Sequence, residues 1–389
     1  MDFALTQEQE QFRKSVRAWV DKECPKDVAL ELERQEFQYP EELYQKMAAA
    51  GFHGVGVAEE YGGSGGTEID QVILIRELSR SLGGIAWIWG INAFAGSKSV
   101  GYYGTEEQKQ LLLPQVASGE KKFAIAVTEP AGGTDLLGVM RTSAVRSEAD
   151  GGWVINGQKI WSTQAHVADY LLLLARTDKT VAKKTQGTTL FLVPGNAAGL
   201  TTRQIPKLGM KNVGSCEVFL DDVFVPDALV LGEPGRAWYM LLATLNNERI
   251  MMSALALGIL DGVIEEALRY LKEREVFGKP LGQMQVLQHW LADMLIAQKS
   301  AELMVHEAAW RQSQGMECGM EANMAKVVAS EGAVDAADHG IQIFGGMGYA
   351  LETQMQRYWR DARLYRIGPI ANEMARNSIA EMAGLPRSF

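Results

Sequence analysis

Glu248 is the residue whose type and setting best suit chemistry. It stands in Leu245-Asn246-Asn247-Glu248-Arg249, ahead of a run through Met251, Met252, Leu255 and Leu257. Leu241, Leu245, Glu248 and Met252 fall at i, i+4, i+7 and i+11, one face of an α-helix, so a carboxylate shares a stripe with apolar side chains. Burying that charge is costly unless it is paired or its pKa rises. A carboxylate made more basic in this way can remove a proton from carbon. Taken by itself, the pattern fits a helix-surface charge beside Arg249, or a carboxylate bonded to a neighbouring helix, better than it fits catalysis.

Other segments have the chemistry of turns and anion sites. Val127-Thr128-Glu129-Pro130 follows an apolar strand-like run, and Pro130 with Gly132 and Gly133 requires a tight turn. Such a turn leaves backbone N–H groups and the Thr128 hydroxyl free for an electron-rich ligand edge. Arg274 offers the planar donor fork that suits phosphate, and Gly345-Gly346 permits close backbone approach. Singly these read as a hairpin turn and a helix break. Tyr61-Gly-Gly-Ser-Gly-Gly-Thr67 has no strand pattern before it and reads as a connector rather than a phosphate cradle.

The elements that must position these groups fall into three stretches. Residues 1 to about 120 show helical repeats: Phe12, Val16, Trp19 and Val20; Leu43, Met47 and Ala50; Ile75, Leu78 and Leu82. Thr6 with Gln9 predicts a capping box at the first helix. Residues 121–232 change to short apolar or alternating runs (FAIAV, WVINGQKIW, YLLLLAR, TTLFLV, CEVFLDDVFV), which predict a β domain. Asn156-Gly157 between two such runs predicts a hairpin turn. Residues 233–389 return to helix, with segments predicted near 237–273, 283–314, 320–344 and 370–383, as in a bundle.

At 389 residues the chain can bury a large core and divide into two or three domains. A net charge of −10 argues against nucleic-acid binding as its main task, because the excess of carboxylates repels a phosphate backbone, though local basic groups can still hold an anionic ligand. Cys24, Cys216 and Cys318 are scattered and odd in number, which predicts reduced thiols in a cytoplasmic setting. No run is long enough for a membrane span, and the N-terminal residues lack a signal or transit pattern. No strand–GxGxxG–helix unit supports nicotinamide chemistry. The five histidines show no metal or triad spacing, and no metal is expected; His166 reads as a polar loop residue.

Helices, then β, then helices, together with AVTEPAGGTD (126–135), GQKIWST (157–163), NERIMMSA (247–254), REVFGKPL (274–281), QIFGGMGY (342–349) and RDARLYRIG (360–368), resembles the acyl-CoA dehydrogenase family over essentially the whole chain. The resemblance implies an α+β fold: an N-terminal helical domain, a middle β-barrel or sandwich domain and a C-terminal four-helix bundle. It implies FAD as cofactor, with Thr128, Trp161 and Thr163 at the isoalloxazine, and Thr163 near the N5 that accepts hydride. It places Arg274, Phe277, Gln342, Gly345 and Gly346 on the FAD pyrophosphate and adenosine across a subunit interface, and Glu373 at a further FAD contact. Thr134 falls where relatives touch acyl-CoA, and Arg249 where a residue shapes the field around the base. A homotetramer (a dimer of dimers) and an electron-transferring flavoprotein as electron acceptor are implied as well.

The chain departs from the family pattern in one segment. Many members keep their base near the C-terminus, where Pro369 stands here; members resembling the isovaleryl and long-chain branches place it where Glu248 stands. Pro369 also lacks the N–H that relatives offer the thioester oxygen, and Ala371 lacks a hydroxyl that they often have. The expected reaction is α,β-dehydrogenation of a short, medium or branched acyl-CoA with Glu248 as base. The alternatives are an altered outcome (oxidase, reductase or desulfinase-like) or an inactive flavin-binding subunit supporting a homologous partner. Trp87 and Trp89 are candidates to fill the acyl pocket or, equally, to pack in the core.

Overall fold

The computed structural model describes residues 4–387. Its first region is helical: α1 (Gln7–Glu23), α2 (Lys26–Arg34), α3 (Glu41–Ala49), α4 (Glu68–Ser81), α5 (Gly83–Asn92), a π-helical stretch Ala93–Lys98, α6 (Ser99–Tyr103) and α7 (Glu106–Ala117). The Thr6–Gln9 capping box forms as predicted, and Thr67 with Asp70 and Thr105 with Gln108 cap α4 and α7 in the same way. The glycine-rich stretch at 62–66 leads into the Thr67 cap, and the N–H groups of Gly62, Gly63, Ser64 and Gly65 are taken up by the carbonyls of Glu59, Ala58, Gly54 and Val57.

The middle region contains β1 (Phe123–Ala126), α8 (Leu136–Val139), β2 (Ser143–Ser147), β3 (Gly152–Thr163), β4 (Tyr170–Arg176), β5 (Thr188–Pro194), β6 (Leu200–Gln204), β7 (Ser215–Pro226) and β8 (Val230–Leu231). They form one eight-stranded sheet in the order β6-β7-β3-β2-β4-β5-β8, with β1 parallel to β4. Leu172, Leu174, Leu190 and Leu192 face one apolar cluster; Leu171, Leu173, Phe191 and Val193 face another. Burial on both faces is why YLLLLAR is an unbroken apolar run.

Asn156-Gly157 is not the predicted hairpin. It lies inside β3, where the pairing with β7 shifts register between Ile155 and Gly157. The Asn156 side chain bonds Asp222 across the ladder, and a Cβ on Gly157 would lie 2.5 Å from the Thr142 hydroxyl. A dipeptide that suits a turn has been used for a bulge. The actual β2–β3 turn runs through Asp150-Gly151.

The last region contains α9 (Ala237–Glu273), the short hairpin β9 (Glu275–Val276) and β10 (Lys279–Pro280), α10 (Gln285–Ser313), α11 (Gly319–Phe344), α12 (Gly346–Tyr349), α13 (Gln354–Leu364) and α14 (Asn372–Met382). Its helices share one core with α1, α4 and α5, through Val16, Leu74 and Ile88 on one side and Ile250, Leu257 and Ala329 on the other. None of these helices is long and apolar enough to cross a membrane.

Gly258 allows α9 to approach α4: a Cβ there would sit 2.0 Å from Ser79 Oγ and 2.2 Å from the Arg76 carbonyl. Gly258→Val should therefore cost about 1–3 kcal/mol by overpacking, read as a lower urea midpoint at unchanged m.

Polar bonds tie the three regions together behind the site. Met210 N–H donates to Asp361 Oδ1 at 2.7 Å, Asn212 N–H to Glu33 Oε1 at 3.3 Å, and Arg357 Nη2 to the Ser81 carbonyl at 2.6 Å. Arg357 and Asp361 are fully buried on α13. Their polarity hid this helix from a periodicity reading.

Candidate active site

Four residues of α9 (Asn247, Glu248, Met251 and Met252) face Trp87, Gly90 and Ile91 of α5 and Ala93 and Phe94 of the π-helical stretch. Together they enclose a narrow cavity of about 10 Å³. That is room for roughly one water. The π-helical stretch begins at the pocket wall, a common place for such a departure from α geometry. Burial pushes the Glu248 carboxyl up to about 7, with the Arg249 charge pulling weakly the other way. No hydrogen bond to the Glu248 side chain forms among the described residues, so it is a proton acceptor in an apolar wall.

Its neighbours are under-satisfied as well. Asn247 is buried and its Nδ2 has no partner; the same holds for Arg249 Nε, while Arg249 Nη1 donates to Asn246 Oδ1 at 3.0 Å. Burial lowers the Arg249 pKa. Trp87 lines the pocket, whereas Trp89 is core, 1% exposed with its indole N–H on the Phe52 carbonyl at 2.8 Å. The two readings of these tryptophans thus divide between them.

Trp87 also reaches the middle region. Its indole Nε1–H donates to Thr163 Oγ1 at 3.1 Å. Thr163 ends β3 and is nearly buried, while Trp161, two residues earlier, is 57% exposed at φ 62°. A bulky aromatic held in left-handed backbone and turned to solvent is strained on two counts. It invites a flat apolar ligand. His166 lies nearby but is engaged with Cys216 Sγ at 3.6 Å and the Tyr39 ring.

The turn after β1 forms as predicted, with Gly132 N–H on the Glu129 carbonyl at 3.1 Å; Thr128 is half-buried and Thr134 exposed just beyond. Beneath it lies a feature that sequence reasoning missed. Glu129, 5% exposed, accepts from Lys159 Nζ at 3.0 Å and from the backbone N–H groups of Arg141 and Thr142 at 2.7 and 3.0 Å. Lys159 is fully buried and also donates to the Val127 carbonyl. Burial would push the Glu129 carboxyl up, but the Lys159 charge and the amide donors outweigh it and hold it down. Burial brings the Lys159 amine down to about 8.

Arg274, Phe277, Gln342, Gly345 and Gly346 gather elsewhere. They are exposed around the far end of α9, where Tyr270 stacks on Phe344 with centroids 4.1 Å apart. Phe277 is 94% exposed at φ 52°, and Gly345 has φ 59° with open space at its missing Cβ. Arg274 is 26 positions beyond Glu248, about 39 Å along a straight helix. One chain therefore does not bring its two predicted cofactor sets together. Glu373 is exposed near the start of α14. The segment before it is held by a second missed residue, buried Lys326, which donates to the Ile370 carbonyl and Asn372 Oδ1. No periodicity signals a lysine of this kind, since a lone polar residue on a helix reads as solvated.

Comparison with known proteins accords with this arrangement. The models for the acyl-CoA dehydrogenase N-terminal, middle and C-terminal domains match residues 6–120, 124–223 and 235–384. An acyl-CoA dehydrogenase of Bacillus subtilis is 35% identical over 97% of this chain and 98% of its own. A short-chain-specific acyl-CoA dehydrogenase of Clostridium acetobutylicum is 37% identical over 94% and 95%. The structure of butyryl-CoA dehydrogenase from Megasphaera elsdenii superposes with a TM-score of 0.94 at 32% identity, covering 98% of this chain and all of that one. With every domain matched in order and a half-buried carboxylate lining a narrow apolar pocket, this chain belongs to the acyl-CoA dehydrogenase family of flavoprotein oxidoreductases.

Proposed function

We propose that the chain oxidises short, medium or branched acyl-CoA thioesters to trans-2-enoyl-CoA, with Glu248 as the base and FAD as the cofactor. The observation that carries this reading is Glu248 itself, a carboxylate titrating near neutrality in an apolar pocket. Glu248 takes the proton from the α-carbon of an acyl group lying between α5 and α9. The pocket walls leave room for no more than about one water, and Arg249 sets the field beside the base. The flavin supplies the acceptor for the β-hydrogen and its electron pair.

The residues present fit that cofactor. Trp161 offers an exposed indole face, Thr128 and Thr163 offer hydroxyls at one rim, and the turn beneath Thr128 is fixed by the Glu129–Lys159 pair. Arg274, Phe277, Gln342, Gly345 and Gly346 would hold the pyrophosphate and adenosine of a cofactor shared with a second copy, and Glu373 would add a contact. Thr134 would touch the CoA side. The length of α9 between the two sets favours a homo-oligomer, a tetramer by family resemblance, with three units at 1–120, 121–232 and 233–389. An electron-transferring flavoprotein is the proposed acceptor and the cytoplasm the proposed compartment.

Pro369 keeps a second reading in view, because it cannot donate an N–H to the thioester oxygen. Anaerobic titration with saturated acyl-CoAs tests the choice. Flavin bleaching, fastest with butyryl- to isovaleryl-sized groups, is the expected result. A yellow protein that binds acyl-CoA without bleaching would favour an altered reaction or a supporting subunit, and a profile peaking at long straight chains would overturn the short-pocket reading. Rapid reoxidation in air would mark an oxidase instead.

A further inference from the structure

Trp87 belongs to two sites at once. Its indole walls the pocket beside Glu248, and the same indole donates its N–H to Thr163 Oγ1 at 3.1 Å. A hydroxyl has one proton and two lone pairs. Thr163, accepting from Trp87, has its own proton left to give, and no other partner for that oxygen occurs among the described residues. The bond therefore does more than satisfy the indole: it orients the Thr163 hydroxyl as a donor. Trp89 makes the contrast, since its N–H ends on a backbone carbonyl in the core and orients nothing.

Trp87 is also less enclosed than Trp89. It is half-buried, leaning on the Tyr365 ring at 5.6 Å, where Trp89 is 1% exposed. An acyl group has to widen this pocket, the more so the longer it is, and of the three partly exposed lining residues (Trp87, Ala93 and Glu248) Trp87 is the large apolar one. Turning the indole takes its N–H away from Thr163.

We infer that Trp87 is a positioning and specificity residue that couples acyl size to the flavin through Thr163. The inference rests on the reading that Thr163 faces the flavin ring. Chain-length discrimination then falls on the rate of flavin reduction, not on binding alone. A short acyl group, which needs the least widening of this pocket, turns the indole least and keeps the Thr163 proton aimed at its acceptor. A long one binds and reacts slowly.

The test is a double-mutant cycle on the flavin-loaded protein: wild type, Trp87→Phe, Thr163→Val and the double variant. Two quantities are read, the reduction potential of the substrate-free flavin and the rate constant for its reduction at saturating acyl-CoA. Trp87→Phe should shift the potential and slow reduction by short acyl-CoA about tenfold, the equivalent of one hydrogen bond. In the Thr163→Val background the same change should do less than about twofold, because its route of action has gone. The fall in rate constant with chain length should flatten in Trp87→Phe. Ile91→Ala, which enlarges the same pocket without touching Thr163, should leave the substrate-free potential where it is.

An unchanged potential in Trp87→Phe, or an equal loss with and without the Thr163 hydroxyl, overturns the inference. If the phenylalanine variant takes up no flavin, Trp87→Leu, which also lacks a donor, carries the same two readings. A wild-type protein that takes up no flavin refutes the underlying reading itself, and is distinguishable from loaded variants that show no coupling.

Discussion

Glu248→Gln should bind flavin and acyl-CoA normally and reduce the flavin at least about a thousandfold more slowly, within the range expected for removal of a positioned base. The amide keeps the size and shape of the side chain in the pocket wall, so little else changes. Stopped-flow bleaching under anaerobic conditions reads the effect directly. Wild-type rates in the variant would remove Glu248 from the chemistry and return attention to the segment around Pro369. Glu248→Asp should retain partial activity, since the carboxylate remains but is set back by one methylene.

The same residue sets the pH dependence. Its carboxyl, raised to about 7 by burial, must be ionised to accept the α-proton. Flavin reduction should therefore fall tenfold per pH unit below about 7 and level off above it. The stability linkage has the opposite sense. The raised folded-state pKa contributes stability that is fully present below the ordinary glutamate range, near 4.5, and is lost as pH rises through about 7. Glu248→Gln should accordingly melt higher than wild type at pH 8, by up to about 3 kcal/mol in stability, and the gap should close below pH 5. Activity and stability pull this residue in opposite directions, as expected of a base kept in an apolar wall.

These expectations come from α9, and α9 was the most legible element in the chain. Its apolar stripe has the helical period, its carboxylate interrupts that stripe, and its end at Glu273 coincides with the predicted one. The three-part order was legible for the same reason: a period of 3.6 gives way to short apolar runs and then returns. What failed to show were places where polar residues do core work. Arg357 and Asp361 are fully buried on α13, so charged residues stand on the core side of that helix, where a sequence reading expects apolar ones. Asn156-Gly157 has the composition of a turn, yet its side chain is used across a ladder to Asp222. Lys159 lies in an alternating strand where a lysine reads as the solvent face, and only its partner Glu129, thirty residues earlier, makes burial possible. Pair identities of this kind are set by which strands meet, and a single sequence read by its periods does not specify that.

Lys159→Met should be the most destabilising change near the site. It leaves Glu129 buried at 5% exposure with two backbone donors but no countercharge, and the Val127 carbonyl loses its partner. Breaking a buried pair from one side typically costs about 3–5 kcal/mol, more than the pair itself contributes, because an uncompensated charge remains. The loss should also reach function. The Glu129–Lys159 bond anchors the turn that presents Thr128, so flavin affinity should fall even below the melting transition. The double variant Glu129→Gln/Lys159→Met separates the two effects. Removing both charges should recover most of the stability, as replacement of a buried pair by neutral groups often does, while the turn, deprived of its cross-strand anchor, stays loose. Thermal melting should thus return toward wild type in the double variant and flavin affinity should not. Joint recovery of both would mean that the ion pair serves stability alone and that the Thr128 turn is held by its own Glu129–Gly132 backbone bond.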